Sequence, residues 1–421
     1  MIKKLFEETC GLYEPAFFHI EISEKFDFNC WDNNREHQKA ILLHEYIHYL
    51  QDISTGYGYR NFISIVKELQ AYIYKASIQD TIVKIPINIS DIENADLDSL
   101  LGEIYQGDSD FCIAYLITNV KLRENEFLQD MDKGIAQNIP EVVICTENGE
   151  YRFGGMCVME SMAQLIESVV YPKERMSYCF PYNSCEMLCQ YIYPELLERP
   201  QNLIALCDAV LMSIQPGLTF YDILVKMEAD QFKPRVIQDV YDYVFAFPKK
   251  WIYAQQFEET IQLIDEIYNP LALNTKELNL WLKNKISLAY KKRTDINDRI
   301  FISKIALYEH QKDAEEYFLN LMVHFGMPLI TNEENIYVSN KSQQDIGLVL
   351  LFGPLALRKI FSGISKDNVC EMYKYCRAQK ITKDICKTAP WEIVSNEKLC
   401  PLGQFWYSFG LENKIIQKNE K

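Results

Sequence analysis

Two histidines and a glutamate in the stretch AILLHEYIHYLQDISTGYG (residues 40–58) have a spacing that could support metal chemistry. His44 and His48 are four residues apart, and side chains at i and i+4 of an α-helix lie on the same face, so the two imidazoles can converge on one ion. Glu45 lies about 100° round the helix from His44, beside the ion rather than on it. Neutral imidazoles suit Zn²⁺, and Glu45 occupies the position of a general base for a metal-activated water.

These residues, His-Glu-x-x-His, resemble the zinc-binding motif of the zincin metallopeptidases. The resemblance implies a Zn²⁺ cofactor bound by His44 and His48, Glu45 as the catalytic base, and hydrolysis of a bond in a peptide or protein substrate. The extended form with a third histidine, seen in the metzincins, is absent after His48. A glutamate from a separate helix, as in the gluzincin branch, is therefore the expected third ligand.

The best source of that glutamate is the predicted helix CVMESMAQLIES (residues 157–168). Glu160 and Glu167 are two turns apart and share one polar stripe on an otherwise apolar helix. We predict that Glu160 binds the metal and that Glu167 accepts a hydrogen bond from a ligating imidazole. The alternative is that both belong to a solvated helix face. Asp208 and Glu186 are weaker candidates for the third ligand.

Further polar residues could support such a site. Asp52 follows His48 by one turn and could orient its ring through the free nitrogen, or could equally be a surface charge at the helix end. Tyr182 and Tyr193 lie downstream of the glutamate helix and could stabilise a developing oxyanion.

Hydrophobic periodicity indicates which elements position these residues. A strand is predicted within residues 17–29, and a helix carrying the motif runs from about Arg35 to Gly56. Asn148-Gly149 predicts a hairpin turn just before the glutamate helix, which should end near Pro172. The remaining predicted elements of this half are a helix over 61–77, a strand over 81–89, mixed helical segments to about 132, and helices over 186–199 and 201–214.

The second half reads as successive helices with one hairpin-like insertion at 328–339. We therefore predict an α+β fold, predominantly α-helical, with a soft domain boundary near residue 250. Residues 1–250 would form a zincin-like metallohydrolase domain with a small sheet, and residues 251–421 a helical domain of unknown role.

Composition limits the classes of partner. The 421 residues are 48% hydrophobic and carry a net charge of −16, which disfavours binding to nucleic acid or to anionic membranes. The most apolar window, residues 346–357, is too short to span a bilayer. The N-terminal residues lack the apolar segment of a secretory signal, and thirteen cysteines show no disulfide framework, so we predict a cytoplasmic protein.

Two groups of cysteines were considered as structural zinc sites. Neither contains the Cys-x-x-Cys pairs typical of such sites, and buried reduced thiols are expected instead. The groups are Cys179, Cys185 and Cys189, and Cys370, Cys376, Cys386 and Cys400.

The sequence thus leaves two functions open. The first is a zinc metallopeptidase, and the second is a non-catalytic zincin-like scaffold that binds or regulates a partner protein. The presence of Glu45 favours catalysis, because a purely structural metal does not need a base. A di-iron centre would need a second Glu-x-x-His, which the chain lacks. The oligomeric state is not indicated.

Overall fold

The fold is α+β and predominantly α-helical, as predicted. A computed structural model describes residues 11–23, 25–90, 92, 95–130, 135–175, 179–247, 251–268, 275–332, 336–337, 348–363, 369–378, 380–395 and 400–418.

Most of the described chain lies in helices that pack around one contiguous apolar core. The helices are α1 Glu36–Ser54, α2 Gly56–Ile78, α3 Ala95–Gln106, α4 Gly155–Val170, α5 Ser184–Ile192, α6 Pro200–Val210, α7 Pro216–Ala229, α8 Ile237–Ala246, α9 Tyr253–Tyr268, α10 Thr275–Thr294, α11 Gln311–Phe325, α12 Phe352–Ser362, α13 Tyr373–Ala378 and α14 Pro401–Ser408.

The strands form small sheets at the periphery of the helices. They are β1 Gly11–Glu14, β2 His19–Ile22, β3 Ile82–Ile85, β4 Cys112–Ile113, β5 Ile117–Asp130, β6 Ile135–Thr146, β7 Gly149–Phe153, β8 Cys179–Phe180, β9 Leu329–Thr331, β10 Ile336–Tyr337 and β11 Ile415–Lys418. One sheet has the order β1-β2-β9-β10, another is the meander β5-β6-β7, and β3 with β11 and β4 with β8 form two-stranded sheets.

Helix α1 carries the His-Glu-x-x-His residues and lies in the interior of the protein. From Lys39 to Ser54 every residue of α1 except Ile41 is buried, so polar and apolar side chains alike face other elements. The helix ends at a turn where Thr55 caps α2 by accepting a hydrogen bond from the Gly58 amide at 3.0 Å. The motif helix predicted from sequence is thereby confirmed.

Strands pair across the boundary predicted near residue 250. Strand β2, from the first half, pairs in parallel with β9, from the second, with His19 opposite Leu329. Strand β3 pairs in parallel with β11 in the same way. These two sheets therefore join residues 1–250 to residues 251–421 through backbone hydrogen bonds, and the division into two domains stays a prediction.

A correction concerns the segment before the hairpin. Residues 117–130 fall within the mixed helical segments predicted to about residue 132, but they form strand β5. This strand pairs along its length with β6, and Arg123 bonds to Glu141 and Glu150 across the sheet. Such cross-strand pairing stabilises a sequence of low intrinsic strand propensity. The hairpin at Asn148-Gly149 is confirmed as the β6–β7 turn.

A buried ion pair joins the first half of the chain to the second. Arg293 of α10 donates two hydrogen bonds to the Asp208 carboxylate of α6, at 2.7 and 2.9 Å. Tyr241 and Ser303 also donate to Asp208, and Arg293 reaches the Ser54 hydroxyl at the end of α1. These groups are withdrawn from solvent, so their charges are balanced only by one another.

None of the described helices is both long enough and apolar enough to cross a bilayer.

Replacing Arg293 by Met is expected to lower the free energy of unfolding by about 3–5 kcal/mol, because it leaves the Asp208 carboxylate buried without its partner. Urea denaturation followed by circular dichroism measures this. Lys226→Met is the matched control, since Lys226 forms an exposed pair with Asp230 and its loss should change stability little. Equal stability of the two variants would show that the buried pair does not stabilise the fold.

Candidate metal centre

Helices α1 and α4 lie side by side and present the candidate ligands to one another. Gln51 of α1 donates a hydrogen bond from Nε2 to the Met159 carbonyl of α4 at 3.2 Å, which ties the two helices together. At the start of α4, Gly155 lies directly on the Tyr57 ring, where a Cβ would come within 2.2 Å of Cζ. Glycine is required there because only the absence of a side chain permits this approach.

The three predicted ligands are brought together between these helices. The Nε2 atoms of His44 and His48 lie 3.1 and 3.3 Å from the same oxygen of Glu160, Oε2. Within the described part of the chain, these residues form the group whose potential ligand atoms all lie within 4.8 Å of one another. A tetrahedral zinc site with ligands at 2.0–2.1 Å has edges of roughly 3.3 Å, so the observed spacing fits Zn²⁺.

The opposite nitrogen of each imidazole faces a hydrogen-bond acceptor. The His44 Nδ1 donates to Glu167 Oε2 at 2.9 Å, and the His48 Nδ1 donates to Gln51 Oε1 at 2.9 Å. Because the Gln51 amide nitrogen is committed to a backbone carbonyl, its oxygen must be the group that faces His48. With the proton of a neutral ring held on Nδ1, Nε2 would be the nitrogen that binds an ion, which at His44 would replace the proton shared with Glu160 at 3.1 Å.

One atom of this cluster is left without a hydrogen bond. The Nε2 of His48 is buried, and no donor or acceptor with suitable geometry reaches it. A buried nitrogen without a partner is unfavourable, and here it points into a group of atoms that a divalent ion would complete. The donor set of two neutral nitrogens and one carboxylate oxygen is the chemistry expected of a catalytic zinc site.

Charges within the cluster favour the ionised form of Glu160 and the protonated form of His44. Burial disfavours the Glu160 carboxylate, but the neighbouring His48 and His44 outweigh this and hold the pKa of Glu160 well below its usual range. Burial likewise opposes the protonation of His44, and its bonds to Glu160 and Glu167 nevertheless raise its pKa. Glu160 is therefore ionised and available as a ligand.

Glu45 lies beside the ligands in a confined position. Burial raises the pKa of Glu45 to about 7, although the adjacent His44 and His48 act in the opposite direction. Its carboxylate packs against Gly11 of β1, where a Cβ would come within 2.5 Å of Oε1. Nothing in the sequence signalled Gly11, because this contact joins a helix to a strand 34 residues away.

The role predicted for Asp52 is wrong. Gln51, not Asp52, bonds to the free ring nitrogen of His48. Asp52 accepts hydrogen bonds from the Tyr13 hydroxyl at 2.8 Å and the Ala16 amide at 2.9 Å. It is also buried rather than a surface charge at the helix end. Asp52 therefore anchors the β1 turn to α1, and the Tyr13 ring stacks beside His48 with centroids 6.4 Å apart.

The two tyrosines predicted as oxyanion donors have different surroundings. The Tyr182 ring lies 6.0 Å from that of His44, and burial together with the Glu160 and Glu45 carboxylates raises its pKa. Its hydroxyl therefore stays protonated and able to donate. Tyr193 instead donates to the Phe232 carbonyl at 2.8 Å and belongs to another contact.

The weaker candidates for the third ligand lie elsewhere. Asp208 is held in the ion pair with Arg293, and Glu186 is paired with Arg175 on the surface of α5. Neither belongs to the cluster of ligand atoms, which leaves Glu160.

No protein-family model, curated protein or solved structure matches this chain. The assignment of the site therefore depends on its own geometry.

Replacing Glu167 by Ala is expected to weaken zinc binding by about 10–100-fold, because the His44 ring loses the acceptor that fixes its orientation. Competition with a chelator of known affinity measures the effect. Glu174→Ala is the matched control, since Glu174 also bonds to a histidine, the partly exposed His37 at 2.8 Å, outside the cluster. Equal zinc affinity in both variants would contradict the positioning role of Glu167.

Proposed function

We propose that this protein is a zinc-dependent metallopeptidase with His44, His48 and Glu160 as metal ligands and Glu45 as general base. The observation that carries the proposal is the convergence of two Nε2 atoms on one carboxylate oxygen at 3.1 and 3.3 Å, with a second carboxylate beside them. The buried His48 Nε2, which makes no hydrogen bond of suitable geometry, faces this oxygen and could bind an ion there.

The surrounding residues support general acid–base chemistry. Zn²⁺, when bound, supplies a Lewis acid that lowers the pKa of water to about 7 and polarises a carbonyl. Glu45 is suited to take a proton from the attacking water and to deliver it to the leaving amine. Its contact with Gly11 fixes the carboxylate in one place, and its pKa of about 7 lies in the range that suits both roles.

The strand beside Glu45 supports a peptide as the substrate. Strand β1 is the terminal strand of its four-stranded sheet, and its first residue, Gly11, contacts Glu45. An extended peptide that paired with the outer edge of β1 would pass directly beside the base. The substrate class is therefore an extended peptide or an unfolded protein segment.

Tyr182 is the best candidate to stabilise the oxyanion. It lies beside His44, and its raised pKa keeps its hydroxyl protonated through the neutral range. A donor fixed near the developing negative charge stabilises the transition state more than the ground state.

The alternative is a non-catalytic zincin-like scaffold that binds or regulates a partner protein. Glu45 argues against it, because burial of an ionisable carboxylate destabilises a fold and a structural ion would have no use for it. A cytoplasmic location is part of the proposal, since the twelve described cysteines are free thiols.

The central test is Glu45→Gln. We expect zinc content to be unchanged and the rate of peptide hydrolysis to fall by about 10²–10⁴-fold. The glutamine side chain fills the same space as the Glu45 carboxylate, but its amide does not accept a proton from water. Wild type and variant are incubated with a mixture of unstructured peptides that covers all residue types, and products are identified by mass spectrometry.

Full cleavage by the Glu45→Gln variant would rule out its role as base. If zinc-loaded wild type cleaves no peptide in this mixture, the scaffold function takes the place of the peptidase.

For Tyr182→Phe we expect kcat to fall by about 10²–10³-fold with little change in KM, because the lost donor acts on the transition state. Steady-state kinetics on a peptide found in the mixture measure this. Tyr193→Phe is the control, since its hydroxyl bonds to a backbone carbonyl away from the site. An unchanged kcat for Tyr182→Phe would exclude it as the oxyanion donor.

A further inference from the structure

Four cysteines that are dispersed in the sequence come together near the C-terminus. Cys370 precedes α13, Cys376 lies within it, Cys386 lies in the 3₁₀ turn Asp384–Lys387, and Cys400 caps α14. Each of the four thiols is an electrostatic neighbour of the other three. The intervals between them hide this grouping, because no two are spaced as Cys-x-x-Cys.

The backbone around these sulfurs is arranged to donate to them. The Gly403 amide donates to the Cys400 sulfur at 3.4 Å, and the Lys383 amide donates to the Cys386 sulfur at 3.4 Å. The Met372 amide similarly faces the sulfur of Cys370. Donors of this kind stabilise a thiolate more than a thiol, since the charged sulfur is the stronger acceptor. Burial acts more strongly in the opposite direction and raises the pKa of Cys370, Cys376 and Cys400, so a bound cation would be needed to keep these sulfurs as thiolates. A thiolate is the form that binds metals.

Another group of buried cysteines includes sulfurs that donate to backbone carbonyls. The Cys185 sulfur donates to the Cys157 carbonyl at 3.8 Å, and the Cys157 sulfur donates to the Arg152 carbonyl at 4.0 Å. These are protonated thiols that pack in the core, as expected from sequence. Cys157 and Cys185 also accept hydrogen bonds, from the Gly154 amide and from the Ser161 and Ser184 hydroxyls, so the grouping of four thiols, rather than the donors to them, distinguishes the C-terminal cysteines.

The peptide that carries the C-terminal group has little regular structure of its own. Helix α13 has six residues, and the regular structure described between it and α14 consists of 3₁₀ turns over Asp384–Lys387 and Pro390–Ser395. The Cys370 amide bonds to the Cys386 carbonyl at 2.8 Å, which closes the segment into a loop. Met372, Leu402 and Trp406 pack into the apolar core, and a metal ion would hold the stretch of chain between these residues.

We propose that Cys370, Cys376, Cys386 and Cys400 bind a structural Zn²⁺ ion. Four sulfur ligands suit tetrahedral zinc, with Zn–S bonds of about 2.3 Å and therefore sulfur separations of roughly 3.8 Å. Among the described residues only the His44 group has all its ligand atoms within 4.8 Å, so zinc would draw the four sulfurs closer and tighten this segment. The site does not depend on the peptidase function.

Zinc content measured by mass spectrometry on protein purified without added metal tests the proposal. We expect two equivalents in the wild type, one in Cys386→Ser and one in His48→Ala. Cys185→Ser, which keeps a donor to the Cys157 carbonyl, is the matched control and should retain two. A Cys386→Ser variant that keeps the full wild-type zinc content would overturn the sulfur site. Loss of zinc only from His48→Ala would support the His44 group alone.

A second measurement does not require a variant to fold. Wild-type protein loaded with Co²⁺ should show an intense thiolate-to-cobalt charge-transfer band in the near ultraviolet, which nitrogen and oxygen ligands do not produce. Cys400→Ser should reduce the band, whereas His48→Ala should leave it unchanged. Absence of the band in cobalt-loaded wild type would overturn the proposal, and a disulfide detected among the four cysteines would do the same.

Discussion

The burial of polar groups on helix α1 is the constraint on which much of the structure depends. An interior helix with ionisable side chains is stable only if each of them finds a partner. The partners come from widely separated parts of the chain: Glu167 for His44, Gln51 for His48, Tyr13 for Asp52 and Arg293 for Ser54. Satisfying α1 therefore fixes the positions of β1, α4 and α10, and with them the geometry of the candidate site.

Local patterns in the sequence predicted the parts of this arrangement that obey helical periodicity. The spacing of His44 and His48 predicted a shared face, and the two-turn interval between Glu160 and Glu167 predicted a polar stripe that faces them. Both were correct because the side chains of a helix are positioned by the backbone period alone. Glu167 lies at the ring nitrogen where it was expected.

Interactions between distant elements could not be predicted in this way. Gln51 and Asp52 both follow His48 within about one turn of α1, and contacts with α4 for Gln51 and with Tyr13 and Ala16 for Asp52 orient them differently. The Gly11–Glu45 contact and the strand pairs that join the two halves depend on tertiary packing, which produces no periodic pattern of residue types in the sequence. Strand β5 was missed because cross-strand pairs, not intrinsic propensity, stabilise it.

The pairing of β2 with β9 also determines when the protein can become complete during synthesis. His19 lies opposite a residue that the ribosome adds 310 positions later. At 5–20 residues per second this interval corresponds to roughly 15–60 s. Until then β2 lacks its partner on that side, and the sheet that ends in β1 beside Glu45 remains unfinished. A nascent chain thus carries the motif helix long before the sheet beside Glu45 is complete.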